Sequence, residues 1–164
     1  MRRDRHMVLF LDRTNSSRSQ IAEAVLRRCA DDTIDACSAG LEPRPIPSFT
    51  YLVLREVGIE PGDLHPKSLR AFLSKIPVRW AIILSERTEA DAPRIYPFAG
   101  ETLYWPCSDP EAIMDSVPAR LASFRTIRDQ LHARINAWLA AQGLAAFRTR
   151  PARPGDGAGS SWTV

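Results

Sequence analysis

Cysteine is nearly absent from this chain: three residues among 164, Cys29, Cys37 and Cys107. They are too few and too widely spaced for a disulfide framework or a CxxC metal site. Long hydrophobic runs are missing too. No stretch approaches the roughly 20 apolar residues that a membrane helix needs, and the Met1-Arg2-Arg3-Asp4-Arg5 start carries no apolar run of a secretory signal. Charge of one sign is not in excess either. The formal net charge is +3, and the basic residues are scattered rather than gathered on one stripe, so neither nucleic acid nor a membrane is an expected partner. No internal repeat is visible. What remains is the expectation of one cytoplasmic, reduced globular domain without metal or cofactor, its oligomeric state open.

Within that frame, short apolar runs alternate with helical patterns. Met7–Leu11 reads as a strand, and Arg18–Cys29 follows with Ile21, Val25 and Leu26 at helical spacing. Thr33–Cys37 is a second short strand that ends in Ser38-Ala39-Gly40. Residues 41–47 hold three prolines and must be loop. Phe49–Val57 places Leu52, Val53 and Val57 on one helical face, closed by Gly58. Ser68–Leu73 suits a short helix. Trp80–Leu84 is apolar throughout, as befits a central parallel strand covered on both faces, and Thr102–Trp105 is a weaker strand. Pro118–Ala141 is the longest predicted helix, with apolar residues from Leu121 to Leu139 every three or four positions and Gly143 beyond its end. From Arg148 onward the Arg/Pro/Gly/Ser-rich composition predicts a disordered tail, which leaves 1–147 as the domain.

This order of elements predicts an α/β three-layer sandwich around a mainly parallel four-stranded sheet. Ligands of such sheets bind beyond the carboxyl ends of the strands. Three loops fall there: Asp12–Arg18, Ser85-Glu86 and Ser108-Asp109-Pro110. The first is the richest in chemistry. A loop that turns into a helix start aims several backbone N–H groups at a common centre, where the helix dipole adds roughly half a positive charge. Arg18 could grip a tetrahedral oxyanion with two parallel hydrogen bonds. Asn15 tolerates the left-handed conformation that such a loop needs, and Ser16, Ser17 and Ser19 supply hydroxyls. The same spacing also suits a plain strand-to-helix turn in which Ser and Asn only cap the helix.

Four segments in order resemble the low-molecular-weight protein-tyrosine phosphatase superfamily, especially its thioredoxin-coupled arsenate reductase branch. The family's loop reads C-x-G-N-x-C-R-S-[PQ] after an apolar strand. In the same register stand Asp12-Arg13-Thr14-Asn15-Ser16-Ser17-Arg18-Ser19-Gln20. Cys37-Ser38-Ala39-Gly40 matches its S-A-G turn, and His65-Pro66-Lys67-Ser68 is similar to its H-x-S element. Trp105-Pro106-Cys107-Ser108-Asp109-Pro110 resembles its W-x-x-x-D-P segment. The helix around Phe124–Leu131 looks like the family's closing helix, so the resemblance spans roughly residues 7–141. It implies the family's fold, an oxyanion-binding loop of Arg13, Thr14, Asn15, Ser16, Ser17, Arg18 and Ser19, and Asp109 as the general acid.

The departures fall on the chemistry. The family's first loop cysteine is a low-pKa thiolate that attacks phosphorus or arsenic, and Asp12 holds that position. Thr14 replaces the loop glycine and Ser17 the second cysteine. Ser85 and Ala92 stand where the reductases carry two further thiols, so a disulfide relay is not expected. Asp12 could serve as a carboxylate nucleophile, alone or with water. Enzymes of that kind generally use magnesium, however, and no carboxylate cluster for it appears near the loop. An ionised Asp12 would also repel an anionic ligand by about 4 kcal/mol per charge pair at 4 Å and an effective dielectric of 20. The preferred expectation is a loop plugged by Asp12, which satisfies the loop amides and Arg18 itself. The protein would then bind a partner protein, or phosphate weakly, without turnover. Two alternatives are an active phosphomonoesterase using Asp12 or water with Arg18 and Asp109, and an arsenate-response protein. Cys37 and Cys107 are expected near the same sheet edge. Glu23 and Ser38 match a monovalent-cation site in some arsenate reductases, or else Glu23 anchors the loop by buried hydrogen bonds. His65 is expected to be structural or solvated.

Overall fold

The computed structural model describes residues 5–73, 76–85 and 98–144. The predicted tail from Arg148, Trp162, and residues 86–93 of the segment compared with the reductase thiols lie outside the described residues. Four strands form one parallel sheet in the order β2-β1-β3-β4: β1 (His6–Asp12), β2 (Ile34–Gly40), β3 (Val78–Ile83) and β4 (Glu101–Tyr104). The helices are α1 (Arg18–Cys29), α2 (Ser48–Arg55) and α3 (Val117–Ala141). Two 3-10 turns, Leu69–Ala71 and Pro110–Ala112, complete the described elements.

Period-two alternation in the central strands divides the core. Val8 and Phe10 of β1 with Trp80 and Ile82 of β3 join α1, α2 and α3 in one cluster. Leu9, Leu11, Ala81 and Ile83 face the other way, onto Leu69 and Phe72. Every one of these side chains is buried, which is why Met7–Leu11 and Trp80–Leu84 read as unbroken apolar runs. Along α3, Phe124, Ile127, Leu131, Ile135, Trp138 and Leu139 recur at helical spacing and fill the first cluster. Trp138 packs edge-on against Trp80 and Trp105, 5.1 and 6.1 Å between ring centres, so all three tryptophans belong to the core.

The sheet differs from the sequence expectation in one place that matters. The second strand does not stop at Cys37 but runs through Ser38-Ala39-Gly40, paired with Phe10-Leu11-Asp12. Small residues looked like a turn; continued pairing to β1 decides otherwise. Asp12 is therefore the last residue of a strand rather than the first of a loop. Gly58 and Gly143, with φ of 73° and 68°, end α2 and α3 as left-handed glycines do. None of the described helices is long and apolar enough to cross a membrane.

Candidate oxyanion-loop site

Strand order turns around at β1, which has β2 on one side and β3 on the other. The loop after β1 therefore lies at the switch point, where open α/β sheets bind ligands. A cleft of about 790 Å³ opens over it. Arg13, Thr14 and Arg18 from the loop, Ser85 after β3 and Trp105–Asp109 after β4 line it, with α3 as the far wall. The three loops singled out from the sequence thus meet here, Glu86 excepted because it lies outside the described residues.

The loop is held from behind by a buried polar network. Asn15 has φ of 48°. Its amide nitrogen donates to Ser19 Oγ at 2.9 Å and Ser38 Oγ at 2.8 Å, and its Oδ1 accepts from the Lys67 backbone at 2.7 Å and Gln20 Nε2 at 2.9 Å. Ser38 donates on to the carboxylate of Glu23, which also pairs with Lys67 Nζ at 3.1 Å and with the Arg27 guanidinium. These residues do not suit a free monovalent cation, because two side-chain cations already hold that carboxylate. Glu23 is an anchor. Gly40 supplies the space: a Cβ there would stand 2.8 Å from Asn15 N and 2.9 Å from Arg13 O. The backbone beyond it donates from Glu42 to Arg13 O and from Arg44 to Thr14 O, closing the loop's outer side.

The front of the loop is occupied by Asp12. Its side chain is 1% exposed. Oδ1 accepts the Asn15 N–H at 2.6 Å and Oδ2 the Ser19 N–H at 3.1 Å. Ser19 sits in the first turn of α1, so the carboxylate of a β1 residue caps that helix, where the dipole favours negative charge. Ser17, at the N-cap position, makes no cap hydrogen bond of its own. Burial holds the Asp12 carboxyl above its ordinary range, against the opposing pull of Arg18 and the two amides.

One expectation needs correction. Asp12 takes loop amides, but it does not take Arg18. The guanidinium of Arg18 donates to Cys107 O at 3.1 Å and lies 3.6 Å from Asp109 Oδ2. The reason is reach: the carboxylate turns back into its own loop, while the long Arg18 side chain crosses the cleft floor to the segment after β4. Arg13 turns outward to a bidentate pair with Glu42 at 3.0 Å. Thr14 and Ser16 hydroxyls lie 2.7 Å apart.

The other sequence candidates separate. Cys107 lines the cleft, and burial pushes its thiol up to about 11. Cys37 does not join it. It sits mid-strand on β2 beside a second cavity, lined by Met7, Asp31 and Asp35, at the opposite end of the sheet. The expectation that both lie near one edge is wrong, because the β2 register carries Cys37 opposite Leu9. Cys29 packs partly buried against the first core cluster. His65 is exposed, its Nδ1 3.0 Å from Asp63 O, and its carbonyl rather than its ring serves the site by accepting from Gln20 and Lys67.

Glu111 escaped the sequence reading. Its Oε1 accepts the hydroxyl of Ser16 at 2.5 Å and that of Ser17. Its only sequence signal is its place two residues after Asp109, whose Oδ1 accepts the Glu111 N–H at 3.0 Å.

Residues 7–91 match the family described as Low molecular weight phosphotyrosine protein phosphatase. An arsenate reductase of Halalkalibacterium halodurans is 26% identical over 133 residues, covering 80% of this chain and 94% of that protein. Among solved structures, an arsenate reductase in the phosphate binding state superposes with a TM-score of 0.71 at 23% identity, over 85% of this chain and 99% of the other. Vibrio vulnificus Wzb in complex with benzylphosphonate does so with 0.69 at 18% identity, over 83% and 98%.

Proposed function

The chain belongs to the low molecular weight phosphotyrosine protein phosphatase family, and within it we propose a binding protein rather than a thiolate enzyme, its oxyanion loop filled by its own Asp12 carboxylate. One observation carries this reading. Two backbone N–H groups aimed into the loop, those of Asn15 and Ser19, donate to Asp12 rather than standing open to a ligand. The Asp12 carboxylate thus occupies the place of an incoming oxyanion. A second anion would meet its charge at short range, at about 4 kcal/mol per charge pair for 4 Å and an effective dielectric of 20. Phosphate then binds weakly, and a protein partner is left the cleft above the loop.

Arsenate reduction, the activity named for the similar reductases, does not suit this sequence. By the family resemblance, Asp12, Ser85 and Ala92 stand where the relay would need its three thiols. A carboxylate nucleophile is also disfavoured, because each Asp12 oxygen is engaged by a backbone amide and the group is buried. Arg18 and Asp109 stay together at the mouth, in the position of a charge clamp and an acid.

The test is hydrolysis of a generic aryl phosphate by the wild type, Arg18→Ala, Asp12→Cys and Asp12→Cys/Arg18→Ala. The wild type gives no turnover above buffer, and Asp12→Cys gains turnover that the added Arg18→Ala removes. Wild-type turnover that disappears with Arg18→Ala refutes the reading.

A further inference from the structure

Two kinds of donor surround the loop, and a different carboxylate holds each. Backbone N–H groups go to Asp12, below. Side-chain hydroxyls of Ser16 and Ser17 go to Glu111, above. Those partners are 95 and 94 residues away along the chain, so only the fold brings them together. The backbone of the turn that carries Glu111 is fixed by its surroundings, which leaves only the side chain free to move. Asp109 N-caps the turn Pro110–Ala112, Pro110 is buried, and Arg18 reaches the second oxygen of Asp109. The turn packs against α3. On the loop side, Ser17 stands at the N-cap of α1 but spends its hydroxyl on Glu111, and Thr14 extends the row through Ser16.

We infer that the row of hydroxyls at the loop mouth is an anion subsite occupied in cis by the Glu111 carboxylate, which any oxyanion entering the loop must displace. This rests on the reading that Asp12 fills the loop, and adds a second, outer competitor to it. The ligand chemistry is that of a small tetrahedral oxyanion, whose oxygens would accept from the Ser16 and Ser17 hydroxyls as Glu111 Oε1 does. A carboxylate held by two hydroxyls leaves them no proton for an incoming oxygen, and its charge opposes the approach of another anion. Glu111 sits on a half-exposed turn, so it can swing into the cleft without opening the core. Asp12, enclosed by β1 and α1, cannot.

The experiment is titration of the full chain with inorganic phosphate, followed by the backbone amide signals of Asn15 and Ser19, in five proteins: wild type, Asp12→Ser, Glu111→Ala, the double variant Asp12→Ser/Glu111→Ala, and Asp12→Ser/Glu111→Gln. The double variant binds phosphate at least tenfold more tightly than Asp12→Ser, and Asp12→Ser/Glu111→Gln, which keeps the hydroxyl contacts without the charge, falls between them. Equal melting temperatures for wild type and Glu111→Ala certify that the turn is intact. Affinities of Asp12→Ser and the double variant within twofold of each other overturn the role of Glu111 while leaving that of Asp12 standing. Phosphate binding absent from all five proteins overturns both. Wild-type binding as tight as that of Asp12→Ser removes the Asp12 reading alone, and the Glu111→Ala to wild-type ratio then decides the subsite.

Discussion

Two carboxylates lie buried on opposite sides of one loop, each 1% exposed, and they are neutralised in opposite ways. Glu23, behind, meets two side-chain cations and the Ser38 hydroxyl. Asp12, in front, has no side-chain cation at ion-pair distance among the described residues and relies on two backbone N–H groups and a helix start. A carboxylate paired with its own cations is part of the frame. A carboxylate held mainly by backbone donors, with Arg18 acting on it only at longer range, is on the proposed reading in a ligand's place. The contrast separates scaffold from site without any appeal to relatives.

The comparison breaks most visibly at Glu23. Glu23→Ala leaves Lys67, 11% exposed, without its counter-charge, and costs about 3 kcal/mol, at the low end for a broken buried pair because Arg27 keeps Asp63 and partial solvent access. Denaturant unfolding measures it; a loss below about 1 kcal/mol means the pair is not part of the frame. Gly40→Ala is next. Its Cβ would lie against the Asn15 and Arg13 backbone, which cannot give as a flexible side chain can, and about 2 kcal/mol follows from overpacking of that kind. It also shifts the amide signal of Asn15, the donor to Asp12, which a change confined to the frame would leave in place.

The smallest effect is at Asp12 itself. Asp12→Ser surrenders two charge-assisted hydrogen bonds but also removes a buried charge, and the net change at neutral pH is within about 1 kcal/mol. Its pH dependence has a definite sign. The folded-state pKa is raised by burial above the ordinary 3.8. The group's stabilising contribution is therefore fully present below that ordinary value and is lost as pH rises through the folded-state value. Between pH 4 and pH 8 the wild type loses stability relative to Asp12→Ser, which has nothing to titrate there. Parallel unfolding curves at the two pH values would show that the amides and the dipole outweigh burial.

Much of the front of the loop was legible in sequence. An apolar run, a polar loop with Asn15 at the one left-handed position and Arg18 at the helix entry follow from local chemistry. What stayed hidden depends on contacts between distant segments. The strand character of Ser38-Ala39-Gly40 comes from pairing with β1 rather than from its own propensity. Lys67 meets Glu23, and Glu111 meets Ser16 and Ser17, only once the sheet has brought their loops to one end. The course of Arg18 was misjudged for a similar reason, since its partners lie in the segment after β4.

On the proposed reading, Asp12 occupies the anion position of the loop. A crystal structure of the wild-type protein grown in concentrated phosphate tests it most directly. Asp12 still accepts from Asn15 N and Ser19 N there, and any weakly bound phosphate lies in the cleft rather than on those two N–H groups. Phosphate seated on those two N–H groups, with the Asp12 carboxylate turned away, would contradict it.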